Sequence, residues 1–155
     1  MGEITSYESS SYSVNQFKDK EPNGEYPLFD ANNLVTLMDE YDQEEKYISI
    51  IKDGAGVGRV QLRPEKSSVI GTMGYIKNKD SDLDFILFIM QQLTIFEYVT
   101  GSTIPHIYYK DYSKENLFVP SLREQKQISG FFKNLDNLIT LHQCKSRKRK
   151  RAKAL

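Results

Sequence analysis

From Ile128 to His142 the apolar positions recur at helical spacing. Written as heptads, Ile128, Leu135 and His142 (a polar member) share one position, Phe131 and Leu138 a second, and Phe132 and Ile139 a third. That is a single stripe along one side of a helix. Its start is well marked. Pro120 biases Val119 toward an extended backbone, and Ser121 with Glu124 three residues on has the form of a capping box. At ~1.5 Å per residue a helix over 122–143 is roughly 33 Å long, more than a small core needs and suited to a strut. Gly130 costs it about 1 kcal/mol against alanine, which a closely packed partner helix would offset. Such a stripe serves either a helix folded back on its own domain or one that pairs with a second helix.

Upstream the pattern changes period. Residues 1–25 are polar and weakly patterned, with a turn at 21–24; Glu25 to Phe29 forms a short strand, placed at a sheet edge by Pro27. Asp30 to Asn33 makes a polar turn. Tyr47 to Lys52 reads as a strand, Asp53 to Arg59 as a glycine loop, Val60 to Leu62 as a second strand, and 67–76 as one or two more. From Asp82 to Val99 the chain is apolar nearly all round, the signature of a buried helix with Asp82 as N-cap and Gly101 as stop. A last strand, Asn116 to Val119, leads into the long helix. The fold class expected is mixed α/β (α+β): a β-rich domain over 1–119, a coiled-coil-type helix over 120–144 and a basic tail over 145–155.

Charge changes the picture only locally. Among 155 residues 21 are basic and 21 acidic, but residues 145–155 hold seven Lys and Arg and no acid. Without that tail, 14 basic residues face 21 acidic ones, a body of formal charge −7. Such a body meets nucleic acid through a local face, not through bulk attraction. The tail itself reads as a solvated end or a phosphate-binding arm. With no apolar run of about 18 residues and no secretory leader, neither membrane insertion nor export is expected, and a cytoplasmic protein fits. Cys144 is the single cysteine, so no disulfide framework is expected.

Candidate chemistry is sparse. The loop Gly54-Ala55-Gly56-Val57-Gly58-Arg59 has neither the spacing of a P-loop nor that of the dinucleotide fingerprint, and a strand follows where both require a helix. It reads as a tight hairpin. His106 and His142 have no neighbouring ligands at metal-binding spacing, the carboxylates from Asp39 to Glu45 make a solvated acidic turn, and no nucleophile elbow is present. Tyr108, Tyr109 and Tyr112, near Lys110, suit core packing or contact with nucleic acid. No catalytic residue, metal or cofactor is expected.

Four stretches resemble one family. Val119 to Ile128, running on through Phe131 to Gln143, resembles the junction of recognition domain and conserved helix in DNA-specificity subunits of type I restriction–modification systems. Gly24 to Asn33 resembles that family's opening Gly-x-x-Pro-hydrophobic segment. Ile51 to Val60 resembles its central glycine hairpin, and Thr100 to Ile107 its domain-closing turn. The resemblance implies a target recognition domain that reads half of a split site in double-stranded DNA, with catalysis left to methyltransferase and restriction subunits. Full-length members carry two such domains and two conserved helices. One of each here suggests a half-subunit that pairs as a homodimer through Ile128, Phe131, Phe132, Leu135, Leu138 and Ile139. The tail lacks the spaced leucines that continue the family's helix. Loop position and donor–acceptor chemistry single out Asn32, Asn33, Lys52, Arg59, Ser102, Thr103 and His106 as DNA contacts. The alternatives are an interaction fragment that binds methyltransferase subunits without reading DNA and, more remotely, an enzyme with a phosphate-binding hairpin.

Overall fold

A computed structural model describes residues 1–17 and 24–152, with backbone alone at Val14 and from 146 onward. Strands β1 (Thr5–Ser9), β2 (Tyr26–Phe29), β3 (Leu34–Met38), β4 (Tyr47–Ile51), β5 (Val60–Arg63), β6 (Ser68–Val69) and β7 (Met73–Asn78) precede helices α1 (Leu83–Gln92), α2 (Tyr109–Tyr112) and α3 (Leu122–Ala152). All five residues of β4 are buried, and so are the first four of β7. The pleat sends Ile48, Ile50 and Ile76 to one side, where they pack with Ile86 and Met90 of α1. Tyr47, Ile51, Met73 and Tyr75 go to the other, where they meet Leu28, Met38 and Val69. A strand buried on both faces reads as continuously apolar, and here each face needs its own cover.

The covers are different. One is the helical layer. The other is a small sheet of order β3-β2-β6, in which β2 runs antiparallel to β3 and parallel to β6. Between them lies an antiparallel sheet of order β1-β7-β4-β5. A Cβ on Gly74 would lie 2.3 Å from the Tyr7 ring, so glycine there lets that ring lie across the sheet. Tyr7 stacks on Tyr109 at 5.3 Å, and Tyr109 meets Tyr112 edge-on at 5.4 Å. These tyrosines are packing residues. Hydrogen bonds tie Tyr47 to Ser67 (3.0 Å) and Tyr75 to Asp42 (2.5 Å). Burial pushes the Tyr47 phenol up to about 12.

Several elements depart from the sequence pattern. β2 lies inside its sheet, not at an edge; β6 pairs only with Leu28 and Phe29, so Pro27 faces no β6 partner that needs its missing N–H. β1 formed in a stretch with little pattern, because its pairing with β7 from Thr5 to Ser9 supplies what propensity does not. The apolar run from Asp82 stops being α-helical at Gln92. Leu93 turns extended, and a 3-10 turn over Ile95–Tyr98 follows, which brings Ile95 into the core under Gly58. Residues 116–119 form no strand. The turn expected at 21–24 lies, apart from Gly24, outside the described residues.

α3 is longer than the apolar stripe, since it continues to Ala152. The basic-arm expectation falls, from residue 146 onward, on side chains outside the described residues. Its capping box is formed in both directions: Glu124 Oε2 accepts from Ser121 N–H (3.0 Å) and Oγ–H (2.6 Å), while Ser121 Oγ accepts from Glu124 N–H (3.4 Å). Gln125 then joins the starts of two helices. Its Oε1 accepts from the N–H of Asp82, the N-cap of α1, at 2.9 Å, and its Nε2 donates to the Pro120 carbonyl at 2.9 Å. Phe132 against Phe88 (5.0 Å) and Lys133 paired with Asp84 (2.5 Å) extend the contact. A Cβ on Gly130 would meet nothing within 4 Å, so no close packing within the described residues offsets its cost.

Gln125→Leu keeps the bulk but strands the Asp82 N–H and the Pro120 carbonyl. It should cost about 1–3 kcal/mol, read as a lower denaturant midpoint together with faster hydrogen exchange at the Asp82 amide; unchanged exchange there would show that the link contributes nothing. The capping box predicts a pH effect. The Ser121 hydroxyl and, next, the Ser121 N–H hold the Glu124 carboxyl below its ordinary value. A depressed folded pKa means stabilisation that is present above the ordinary carboxylate range and lost as pH falls through the folded value. The protection of the Ser121 and Glu124 amides, measured against their intrinsic exchange rates, should therefore fall on acidification, and Glu124→Gln should abolish most of that dependence.

Candidate nucleic-acid interface

Three connections meet beside β5, at the sheet end where β4 finishes and β7 begins. The glycine loop joins β4 to β5 with positive φ at Gly54, Gly56 and Gly58 (86°, 80° and 85°), conformations that suit glycine. Gly58 N–H donates to Ile51 O at 2.8 Å and Ile51 N–H to Arg59 O at 3.0 Å, closing a tight hairpin. Val57, only 4% exposed, points into the core beneath. Strand β5 follows directly, as the sequence predicts.

The turn over 100–106 hangs on this loop by main-chain bonds. Thr100 and His106 exchange both N–H···O bonds (2.9 and 2.8 Å), Gly54 N–H donates to Pro105 O (2.8 Å), and Ile107 N–H to Lys52 O (3.0 Å). The β2–β3 turn is built by Asp30, whose Oδ1 accepts from the N–H groups of Asn32 (2.7 Å) and Asn33 (2.5 Å). Two arginines of the β5 edge fasten it. Arg59 Nη2 donates to Ala31 O (3.0 Å) and Asn32 Oδ1 (2.7 Å). Arg63 donates through Nη2 to Asp30 O (2.7 Å) and through Nε to Ser49 Oγ (3.0 Å), with its guanidinium 4.6 Å from the Phe29 ring centre. Burial lowers the Arg63 pKa from its ordinary value, with nearby Tyr47 and Asp30 opposing the shift; the side chain is structural.

The sequence-derived candidates fall on these loops with different roles. Asn32, Asn33 and Arg59 are exposed, and Arg59 touches Asn32 directly. Lys52 is half-buried and its ammonium lies 3.3 Å from Asp53. Ser102 and Thr103 are exposed at the tip of their turn. His106 is half-buried, with Nδ1 3.3 Å from Ile104 O and its ring edge-on to Tyr108 at 5.1 Å. Two exposed aromatics lie on the same side, of which the sequence pattern singles out Tyr108 but not Phe96. Phe96, 72% exposed, shares a hollow with Gly56, Gly58 and Arg59; inside an apolar run it reads as core. Tyr108 is 50% exposed with the Lys110 ammonium 5.2 Å over its ring. Among the described residues no three His, Cys, Asp or Glu side chains gather into a metal site.

On α3 the two kinds of contact separate. Gln125, Ser129, Phe132 and Lys133 face α1, and Gln125 and Ser129 are buried. Ile128, Phe131, Leu135, Leu138 and Ile139 lie roughly a quarter turn round the helix. Phe131 and Leu138 are 61% and 63% exposed, and every side chain from Phe131 to Lys145 is exposed. Of the expected interface residues, Phe132 is spent largely on Phe88, and Ile128 borders the same groove.

Comparisons with known proteins agree on one family. The model of the type I restriction modification DNA specificity domain matches residues 2–149. The specificity subunit of the type I restriction enzyme MjaVIII of Methanocaldococcus jannaschii is 27% identical over 134 residues, 78% of this chain and 31% of that protein. The crystal structure of the type I restriction–modification S subunit from M. genitalium superposes with a TM-score of 0.69 at 21% identity, covering 90% of this chain and 40% of that one. The HsdS subunit from Thermoanaerobacter tengcongensis gives 0.60 at 14% identity, covering 90% and 37%. These two likenesses show the shared fold. The chain thus spans about a third of the curated relative's length. A DNA specificity domain is a recognition unit and not a catalyst, and by a match over nearly its whole length this chain belongs to the family of type I restriction modification DNA specificity domains.

Proposed function

We propose that this chain reads one half of a split site in double-stranded DNA, and that methyltransferase and restriction subunits act in the cytoplasm where it is bound. The observation that carries the reading is the meeting of the β2–β3 turn, the glycine loop and the 100–106 turn. Segments far apart in sequence are fastened there by main-chain bonds and by Arg59, leaving polar side chains exposed at their tips. Loops held from behind present hydrogen-bonding groups in fixed positions, as readout of base edges in the major groove requires. The net charge fits that use. A body without excess positive charge gains little from phosphates at large, so its affinity has to come from particular contacts.

Residues 1–119 then serve as the recognition domain and 120–144 as the helix that spaces it from its partner. The apolar stripe of α3 supports pairing with a second helix of the same kind, and in this chain taken alone a second copy supplies it, antiparallel, in a two-fold dimer. Such a dimer reads an interrupted palindrome.

Sequencing of methylated DNA from cells that carry this chain beside its methyltransferase subunit tests the reading. One defined motif should be modified, and His106→Ala should relax a single base pair by roughly 1–3 kcal/mol; the absence of any motif would refute recognition. Leu135→Asp combined with Leu138→Asp should give a folded monomer by analytical ultracentrifugation that no longer supports methylation. Wild-type chain that is monomeric at tens of micromolar, with a motif that is not a palindrome, would rule the pairing out.

A further inference from the structure

Arg59 joins the glycine loop to the β2–β3 turn through one nitrogen. Nη2 donates to Ala31 O at 3.0 Å and to Asn32 Oδ1 at 2.7 Å, so both of its N–H groups are engaged. A guanidinium makes paired hydrogen bonds through an end-on edge, Nη1 with Nη2, or a side-on edge, Nε with Nη2. Both edges contain the engaged nitrogen. While Arg59 holds the turn it has no complete fork for the O6 and N7 of a guanine, the contact arginine makes most often in the major groove.

The latch also fixes Asn32. A guanidinium offers donors only, so the amide oxygen must face Arg59 and the Nδ2 amino group must face away. The backbone beneath is held by Asp30 Oδ1, which accepts from the N–H groups of Asn32 at 2.7 Å and Asn33 at 2.5 Å. Asn32 is exposed, and its Nδ2 has no partner among the described residues.

We infer that Arg59 is a positioning residue and Asn32 the specificity-determining one: the latched amide presents only N–H donors and favours guanine, whose O6 and N7 both accept, or thymine, whose O4 accepts, over adenine, whose N6 amino group beside N7 is itself a donor. Paired contact with adenine needs the amide oxygen to accept from N6 while Nδ2 donates to N7, and that oxygen is already turned to Arg59. The inference rests on the DNA-reading role proposed above and deepens it.

The test incubates the chain and its purified methyltransferase subunit with a randomised duplex library and sequences the methylated products. Wild type should require guanine or thymine at one position, and Asn32→Ala should cut that preference about tenfold or more. Arg59→Ala should relax the same position and admit adenine, since the freed amide can rotate. Arg59→Ala with Asn32→Ala should be no worse than either alone, the mark of residues acting as a unit. The side-chain amide NMR signals of Asn32 in the DNA-free protein should shift on Arg59→Ala while the backbone spectrum keeps its dispersion. Relaxation at different positions, a uniform loss over all sites, or an unmoved Asn32 signal overturns the inference. A defined motif indifferent to Asn32→Ala sinks this assignment alone, whereas wild type that modifies no motif removes the DNA-reading role and this inference with it.

Discussion

Strands β4 and β7 leave no face for water, and the architecture follows from that constraint. Burying a strand on both sides removes about 25 cal/mol of unfavourable hydration per Å² of apolar surface, provided something covers each side. Here the helical layer covers one and the small sheet the other. Polar function is thereby confined to the ends and edges of the central sheet. The end where β4 passes into β5 carries the fastened loops; the opposite end, where β7 passes toward α1, carries the seat of α3. The doubly buried strands thus hold the fastened loops and the attachment of the long helix at opposite ends of one sheet.

Local signals were legible where they were strong and short-ranged. Strand β4, the glycine loop, β5 and the capping box of α3 carry their own instructions: a β-branched run, glycines where φ must be positive, and Ser121 three residues before Glu124. What stayed hidden depends on distant partners. β1 exists because β7 pairs with it. β2 sits inside its sheet because β6 is too short to reach Pro27. The apolar run after Asp82 breaks at Gln92 because Ile95 is needed beneath Gly58, a demand no periodicity reveals.

The candidate surface was legible in its location and less so in its organisation. Asn32, Arg59 and His106 sit on the loops that turn chemistry pointed to, yet the spacing does not say that Arg59 reaches across to Asn32 or that Lys52 is occupied by Asp53. Phe96 reads as core in the sequence and is surface in the fold. The long helix carries two faces: one is folded back on α1, while most of the apolar stripe a quarter turn away is exposed.

The turn over 100–106 is closed by peptide groups, Thr100 with His106, and is attached to the glycine loop and the end of β4 through peptide groups as well, Gly54 to Pro105 and Ile107 to Lys52. Every residue type except proline supplies the same N–H and C=O, so those attachments survive exchange of the side chains at the exposed tip, Ser102 and Thr103. Stability and vocabulary are therefore uncoupled there. Substitution there can change the groups the tip presents while the scaffold beneath stays the same, and a series of such changes need not pass through unfolded intermediates.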